Sequence, residues 1–144
     1  YDCSSWVIHC LAHTGIITIP NTGAQGIYNG YCYPVNVNDR KAGDLIFLKD
    51  TYDTGEPGSI SHIGIYMGTL TIDGDTDEYV IDTGGNLELE LENITMVGGM
   101  ESISMDLVDW NNRGKLHYEK DNKNVFIKHI FSIFAINNDM LWRF

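Results

Sequence analysis

The chain has 144 residues, enough for one domain with a sizeable core, and 43% of them are hydrophobic. Its formal net charge of −11 argues against a nucleic-acid partner, because proteins that bind nucleic acids carry basic patches. The same charge disfavours simple adhesion to an anionic membrane or wall polymer, and no apolar run reaches the roughly 18 residues of a membrane span.

The first predicted element is a helix over residues 4–14, where apolar side chains recur at helical spacing. Asp2 or Cys3 would lie near its N-cap, and Gly15 would end it at the C′ position. Residues 20–35, rich in Gly, Asn and Tyr, predict a loop with a short helix near residues 24–29.

Most of the remaining chain predicts antiparallel strands, and helix followed by strands favours the α+β class. Alternation around His62 places His62 and Gly64 on one face and Ile63 and Ile65 on the core face. The glutamates of the LELELE run share a face that we expect to be solvated. The predicted strands cover residues 42–48, 61–68, 78–82, 87–92 and 115–119, and residues 125–136 predict a strand or a helix.

Cys3 is predicted to lie at a position that would increase its reactivity as a nucleophile. Cys3 would meet the positive end of the helix macrodipole and free backbone N–H groups, both of which favour the thiolate. A nucleophilic cysteine also needs a base, itself oriented by a third group. His62 is the candidate base, and Asp82 is the candidate orienting residue if the two strands form a hairpin, accepting a hydrogen bond from the imidazole Nδ1–H.

The stretches DCSSWV, AGDLIFL and SHIGIYMG, in this order, resemble the NlpC/P60 family of cell-wall peptidases over about residues 2–82. The resemblance implies a papain-like α+β fold in which an N-terminal helix carrying Cys3 packs on a small antiparallel sheet carrying His62. Asp82 occupies the place of the family's third polar residue, which is usually His. We expect residues 1–144 to be a single catalytic domain excised from a longer chain.

By this resemblance, the protein is a cysteine peptidase that cleaves peptidoglycan stem peptides after γ-linked D-Glu through a thioester, without a metal or other cofactor. Asp2 and Ser4 match positions that hold the free L-Ala amine in relatives, and Ser61 would line the substrate side. The expected partners are the stem peptide and other domains of a parent protein. The expected location is extracellular, in the bacterial cell wall or a phage virion.

Other interpretations stay open. The same fold could serve as a non-catalytic module of a phage tail or secretion assembly, or the Cys-His pair could act as an amidase or acyltransferase. Cys3 could be a packing residue, and Asp82 a turn former, which would leave Asn86 or Glu78 to orient His62.

Further motifs have a structural and a functional interpretation. His9 and His13 are four residues apart, so both imidazoles could bind one metal ion. The better interpretation is that they lie on a solvated face of the helix. Residues 73–78 are acidic, which fits a calcium loop or, better, a hairpin turn. The remaining aromatic candidates could line a cleft or pack in a loop: Tyr28, Tyr31 and Tyr33.

Overall fold

The computed structural model describes residues 2–83, 89–94, 103–107, 126–130 and 132, so the predicted strand at 115–119 lies outside it. The named elements are two α-helices, a short 3-10 helix and six strands. They are α1 (Cys3–His13), α2 (Ala24–Tyr31), β1 (Cys32–Pro34), the 3-10 helix (Val37–Asp39), β2 (Leu45–Lys49), β3 (Ile60–Ile72), β4 (Asp75–Thr83), β5 (Leu89–Asn93) and β6 (Ile103–Leu107).

Helix α1 begins at a capping box. The Asp2 carboxylate accepts a hydrogen bond from the Ser5 N–H at 2.8 Å, and the Ser5 hydroxyl accepts one from the Asp2 N–H at 2.9 Å. The helix ends at His13 with Thr14 as its C-cap, and Gly15 follows with φ of 74°, a left-handed conformation that glycine adopts without strain. The predicted helix and its glycine stop are therefore confirmed.

The described strands form one antiparallel sheet in the order β1-β6-β2-β3-β4-β5. Strands β3 and β4 form the predicted hairpin, closed by Asp73 and Gly74, both with positive φ as in a type I′ turn. The acidic run 73–78 is this turn and the start of β4. Strand β1 falls in the segment predicted to be a loop, since a three-residue edge strand that contains Pro34 gives little alternation.

The two faces of β3 enter different apolar clusters, as the alternation predicts. Ile63 and Ile65 are fully buried in the main core with the apolar stripe of α1. The opposite face carries a second cluster that includes Tyr66 and Val80. His62 lies at the start of this second face, so the alternation of β3 fixes the direction of its ring.

Residues 126–130 are helical and add Phe126 and Ile130 to the main core. The ring of His129 stacks on that of His13 with centroids 4.7 Å apart, and His13 stacks on His9 at 5.8 Å. Burial, reinforced by the charges of the other two rings, lowers the pKa of His129. His9 and His13 are both exposed, which fits the solvated helix face, although the ring of His129 lies against that of His13. Among the described helices, none is both long and apolar enough to cross a bilayer.

We predict that Asp2→Ala lowers the free energy of unfolding by about 1 kcal/mol, because it removes the side-chain acceptor that caps α1. Asp2→Asn keeps an acceptor at the same position and should lose much less. Chemical denaturation followed by circular dichroism measures both. Equal stability of Asp2→Ala and the wild type would show that the capping box does not stabilise α1.

Candidate active site

An open cleft of about 810 Å³ lies where the beginning of α1 meets the sheet. Its walls come from the first turns of α1 and α2, the loop 50–59, the start of β3, the end of β4 and strand β5. The structure brings all six predicted site residues to this cleft: Asp2, Cys3, Ser4, Ser61, His62 and Asp82.

Cys3 occupies the first position of α1, half-buried at the cleft. The N–H groups of Ser5 and Trp6 are bonded to the side chain and carbonyl of Asp2. Helix geometry leaves the N–H groups of Cys3 and Ser4 without partners inside the helix. Two donors and the positive end of the macrodipole are therefore placed around the Cys3 thiol.

His62 and Asp82 form a short polar contact in the cleft: His62 Nε2 lies 2.6 Å from Asp82 Oδ2. The Asp82 side chain is only 4% exposed and that of His62 19%. The expectation that Asp82 would bind Nδ1 is wrong, because it binds the other ring nitrogen. Nδ1 is the ring nitrogen that Asp82 leaves unbound, and Cys3 is among the groups that raise the pKa of His62.

Burial alone would lower the pKa of His62, since it disfavours the charged ring. Hydrogen bonds to Asp82 and Cys3, with the charges of both groups, outweigh burial and raise that pKa to about 10. The imidazole is therefore protonated at neutral pH. An imidazolium beside a helix-start cysteine is the arrangement that stabilises a thiolate nucleophile.

Gly64 makes room for the His62–Asp82 pair. It lies on the same face of β3 as His62, and a Cβ built there would stand 2.6 Å from Val80 Cγ1 and 3.2 Å from Asp82 Cβ. The absence of a side chain lets the β4 side chains lie across β3. Asp82 thereby reaches His62 from the neighbouring strand.

Each of the predicted substrate-binding residues also makes hydrogen bonds within the protein. Asp2 Oδ1 accepts from the Ser5 N–H and from the Ser4 hydroxyl, and these bonds, chiefly to Ser5, lower the pKa of Asp2. The Ser61 hydroxyl accepts from the Thr51 N–H at 2.7 Å and lies 2.6 Å from its hydroxyl. Ser61 thus anchors the loop that forms one wall of the cleft.

Glu78, one of the two alternative orienting residues, is bound to other side chains than His62. Glu78 accepts from Arg40 at 3.2 Å and from the Tyr66 hydroxyl at 2.5 Å. Asn86 lies outside the described residues. The tyrosine candidates are absent from the cleft lining, and the ring of Tyr28 packs edge-on against Phe47 at 5.3 Å.

Sequence analysis missed two glutamates of β5. Glu90 pairs with Asp82 across the strands, and both Glu90 and Glu92 are half-buried in the cleft wall, so the expected solvated face is wrong for these two. Their carboxylates and that of Asp82 lie within 4.8 Å of one another, close enough to hold a metal ion. The LELELE alternation shows that the glutamates share a face, but only the β4–β5 register shows that Asp82 is on it.

Burial raises the pKa of Glu92 to about 7, with further contributions from the hydrogen bond to Glu90 and the charges of Asp82 and Glu90. The charge of His62 acts in the opposite direction. Below about pH 7 Glu92 is therefore mostly protonated, which relieves part of the repulsion among the three carboxylates.

The sequence model of the NlpC/P60 family matches residues 1–94 of the 144. Comparison with curated proteins and with solved structures found no match. The matched segment runs from α1 to the end of β5, and it contains Cys3, His62 and Asp82.

We predict that Asp82→Asn lowers the pKa of His62 from its value of about 10, because the amide keeps an acceptor for Nε2–H but removes the negative charge. Asp82→Ala should lower it further and also free the ring to rotate. NMR titration of the His62 imidazole measures the pKa, with the exposed Asp75→Asn as control. An unchanged pKa in both Asp82 variants would contradict the pairing.

The His62–Asp82 pair should also affect how the free energy of unfolding depends on pH. A histidine pKa raised on folding from 6.5 to about 10 stabilises the fold fully below pH 6.5, and this contribution is lost as pH rises through about 10. Asp82→Ala should therefore show a flatter decline of unfolding free energy between these pH values than the wild type.

We predict that Gly64→Ala costs about 1–3 kcal/mol of stability, because the new Cβ overlaps Val80 and pushes β4 away from β3. The same displacement should lengthen the His62–Asp82 contact and lower the pKa of His62. Gly30→Ala is the control, since a Cβ at Gly30 meets nothing within 4 Å. If Gly64→Ala and Gly30→Ala were equally stable, the close approach of β3 and β4 at Gly64 would not contribute to stability.

Proposed function

This chain belongs to the NlpC/P60 family, whose members are in general cysteine peptidases that hydrolyse peptidoglycan, and we propose that it cleaves peptidoglycan stem peptides through Cys3, His62 and Asp82. The observation that carries the proposal is the protonated, Asp82-bound imidazole in the cleft where Cys3 begins α1.

In the first half of the reaction, the Cys3 thiolate attacks the carbonyl carbon of the scissile bond. The tetrahedral oxyanion accepts hydrogen bonds from the N–H groups of Cys3 and Ser4, which helix geometry leaves free. One such donor typically contributes about 100- to 1000-fold in rate. His62 then gives its proton to the leaving amine, the C–N bond breaks, and a thioester remains on Cys3.

In the second half, neutral His62 takes a proton from water, which attacks the thioester. The second oxyanion collapses, the acid product leaves, and the thiolate and imidazolium are restored. Asp82 holds the ring by Nε2 and stabilises its positive charge. It is thus a positioning residue for His62.

The bond we propose follows γ-linked D-Glu, in stems that begin with a free L-Ala amine. Both hydrogen bonds that Asp2 receives from α1 use Oδ1, so Oδ2 is available to an ammonium group at the cleft. Ser4 lies beside it. Asp2 would then cap the helix and bind substrate with the two oxygens of one carboxylate.

Delivery to the wall is a separate requirement. A net charge of −11 gives the chain no electrostatic attraction for an anionic polymer. We therefore propose that another domain, a phage virion or a secretion assembly brings this module to its extracellular substrate.

We predict that Cys3→Ala abolishes the release of stem-peptide fragments from purified muropeptides, measured by mass spectrometry. Its unfolding free energy should change little, because the substitution is small and Cys3 is only half-buried. Cys32→Ala is the matched control and should retain activity. Iodoacetamide should modify Cys3 much faster than Cys10, because burial raises the pKa of Cys10 to about 12.

The outcomes separate the alternatives. Fast labelling of Cys3 without any stem fragment would favour an amidase or acyltransferase that uses the same pair. Neither labelling nor cleavage would favour a non-catalytic module. Full cleavage by Cys3→Ala would refute the assignment of the nucleophile.

A further inference from the structure

Three histidine rings from two segments meet beside α1, and we call them the histidine cluster: His9, His13 and His129. His9 and His13 lie one turn apart on the exposed face of α1, and His129 comes from the helical residues 126–130. The ring centroid of His13 is 4.7 Å from that of His129 and 5.8 Å from that of His9. None of the three lines the cleft, and His129 lies beyond the segment that the family model matches.

One ring nitrogen of the cluster is buried without a ligand. Nε2 of His129 is enclosed and has no hydrogen-bond partner among the described residues, which is unfavourable for a polar atom. Burial, with the charges of His13 and His9, lowers the pKa of His129 and so favours its neutral ring. The neutral imidazole is the form that binds a metal ion, because a ring nitrogen then offers a lone pair.

The spacing of the rings fits a shared metal ion. Two histidines four residues apart on one helix face are a zinc-binding pattern. With Zn–N bonds of about 2 Å, the ring centres of two histidine ligands on a tetrahedral ion lie about 5 Å apart. The two centroid distances of the cluster fall on either side of this value.

Binding would require the rings to turn, because they are stacked on one another rather than pointed at a common centre. His9 and His13 are exposed, and exposed side chains change rotamer within nanoseconds. His9 is also near enough to His129 for its charge to act on that ring. Rotation of the two α1 side chains is therefore the main rearrangement that the cluster needs.

We propose that His9, His13 and His129 bind one divalent transition-metal ion, such as Zn²⁺, which fastens residues 126–130 to α1. Imidazole ligands suit zinc, nickel and copper, whereas calcium and magnesium need oxygen ligands. Three imidazoles leave the fourth tetrahedral position to water. The role is structural, and the inference does not depend on the proposed function.

Such an ion would supply a cross-link that this chain otherwise lacks. All three cysteines are free, so no disulfide joins residues 126–130 to α1. Phe126 and Ile130 attach this segment to the main core by apolar packing. Because the three ligands come together only in the folded chain, the ion binds the folded state and stabilises it.

The test is calorimetric titration of Zn²⁺ into Cys3→Ala at neutral pH, since this background removes the thiol beside His62. We expect one ion per chain. His13→Gln and His129→Gln should each weaken binding by at least about 10-fold, because loss of even an outer-sphere partner costs that much. Lys128→Gln, an exposed change next to His129, should bind as tightly as the parent.

Hydrogen exchange tests the fastening itself. Zn²⁺ should slow amide exchange at residues 126–130 in Cys3→Ala and leave it unchanged when His129→Gln is added. Circular dichroism checks that each variant folds, and His13→Gln gives the same readout should His129→Gln not fold.

Three results would overturn the inference. The first is no binding of Zn²⁺ at micromolar concentrations. The second is binding that persists undiminished in both His13→Gln and His129→Gln. The third is binding lost on combining Glu90→Gln with Glu92→Gln, which would assign the ion to the acidic residues of the cleft. Each result is independent of whether the protein cleaves a peptide.

Discussion

The 2.6 Å hydrogen bond between His62 Nε2 and Asp82 Oδ2 is the interaction on which the rest of the site depends. It exists because β3 and β4 pair in a register that places both side chains on the same face of the sheet, and because Gly64 leaves room between the strands. Asp82 holds the ring through Nε2 and raises the pKa of His62, so Nδ1 is the ring nitrogen that Asp82 leaves unbound.

The same cleft residues stabilise the fold and would bind substrate. Asp2 caps α1 with one carboxylate oxygen and lines the cleft, and Ser61 ties the loop 50–59 to β3 through Thr51. Such residues arrange the site before substrate arrives, which reduces the entropy lost on binding. The acidic wall formed with Glu90 and Glu92 gives the cleft its electrostatic character, opposite in sign to that of an ammonium.

The local elements could be predicted from the sequence, because capping, a glycine stop and two-residue alternation act over a few residues. These patterns located α1 and the β3–β4 hairpin, whereas the family resemblance assigned Asp2, Ser4 and Ser61 to the cleft and supported the choice of Cys3, His62 and Asp82. Contacts between segments far apart in the sequence could not be predicted from these local patterns. The β4–β5 register brings Glu90 beside Asp82, and the choice of Nε2 over Nδ1 depends on ring orientation across two strands. The short edge strand β1 is defined by its pairing with β6 rather than by its own pattern.

Capture of the covalent intermediate tests the central claim most directly. A stem peptide would be mixed with the enzyme, the reaction stopped with acid within the first turnover, and the intact protein analysed by mass spectrometry with mapping of the modified peptide. The account predicts a mass increase equal to the acyl fragment, located on Cys3, and its slower disappearance in Asp82→Ala. Product release with no acyl group on Cys3, or with the group on Cys32, would contradict it.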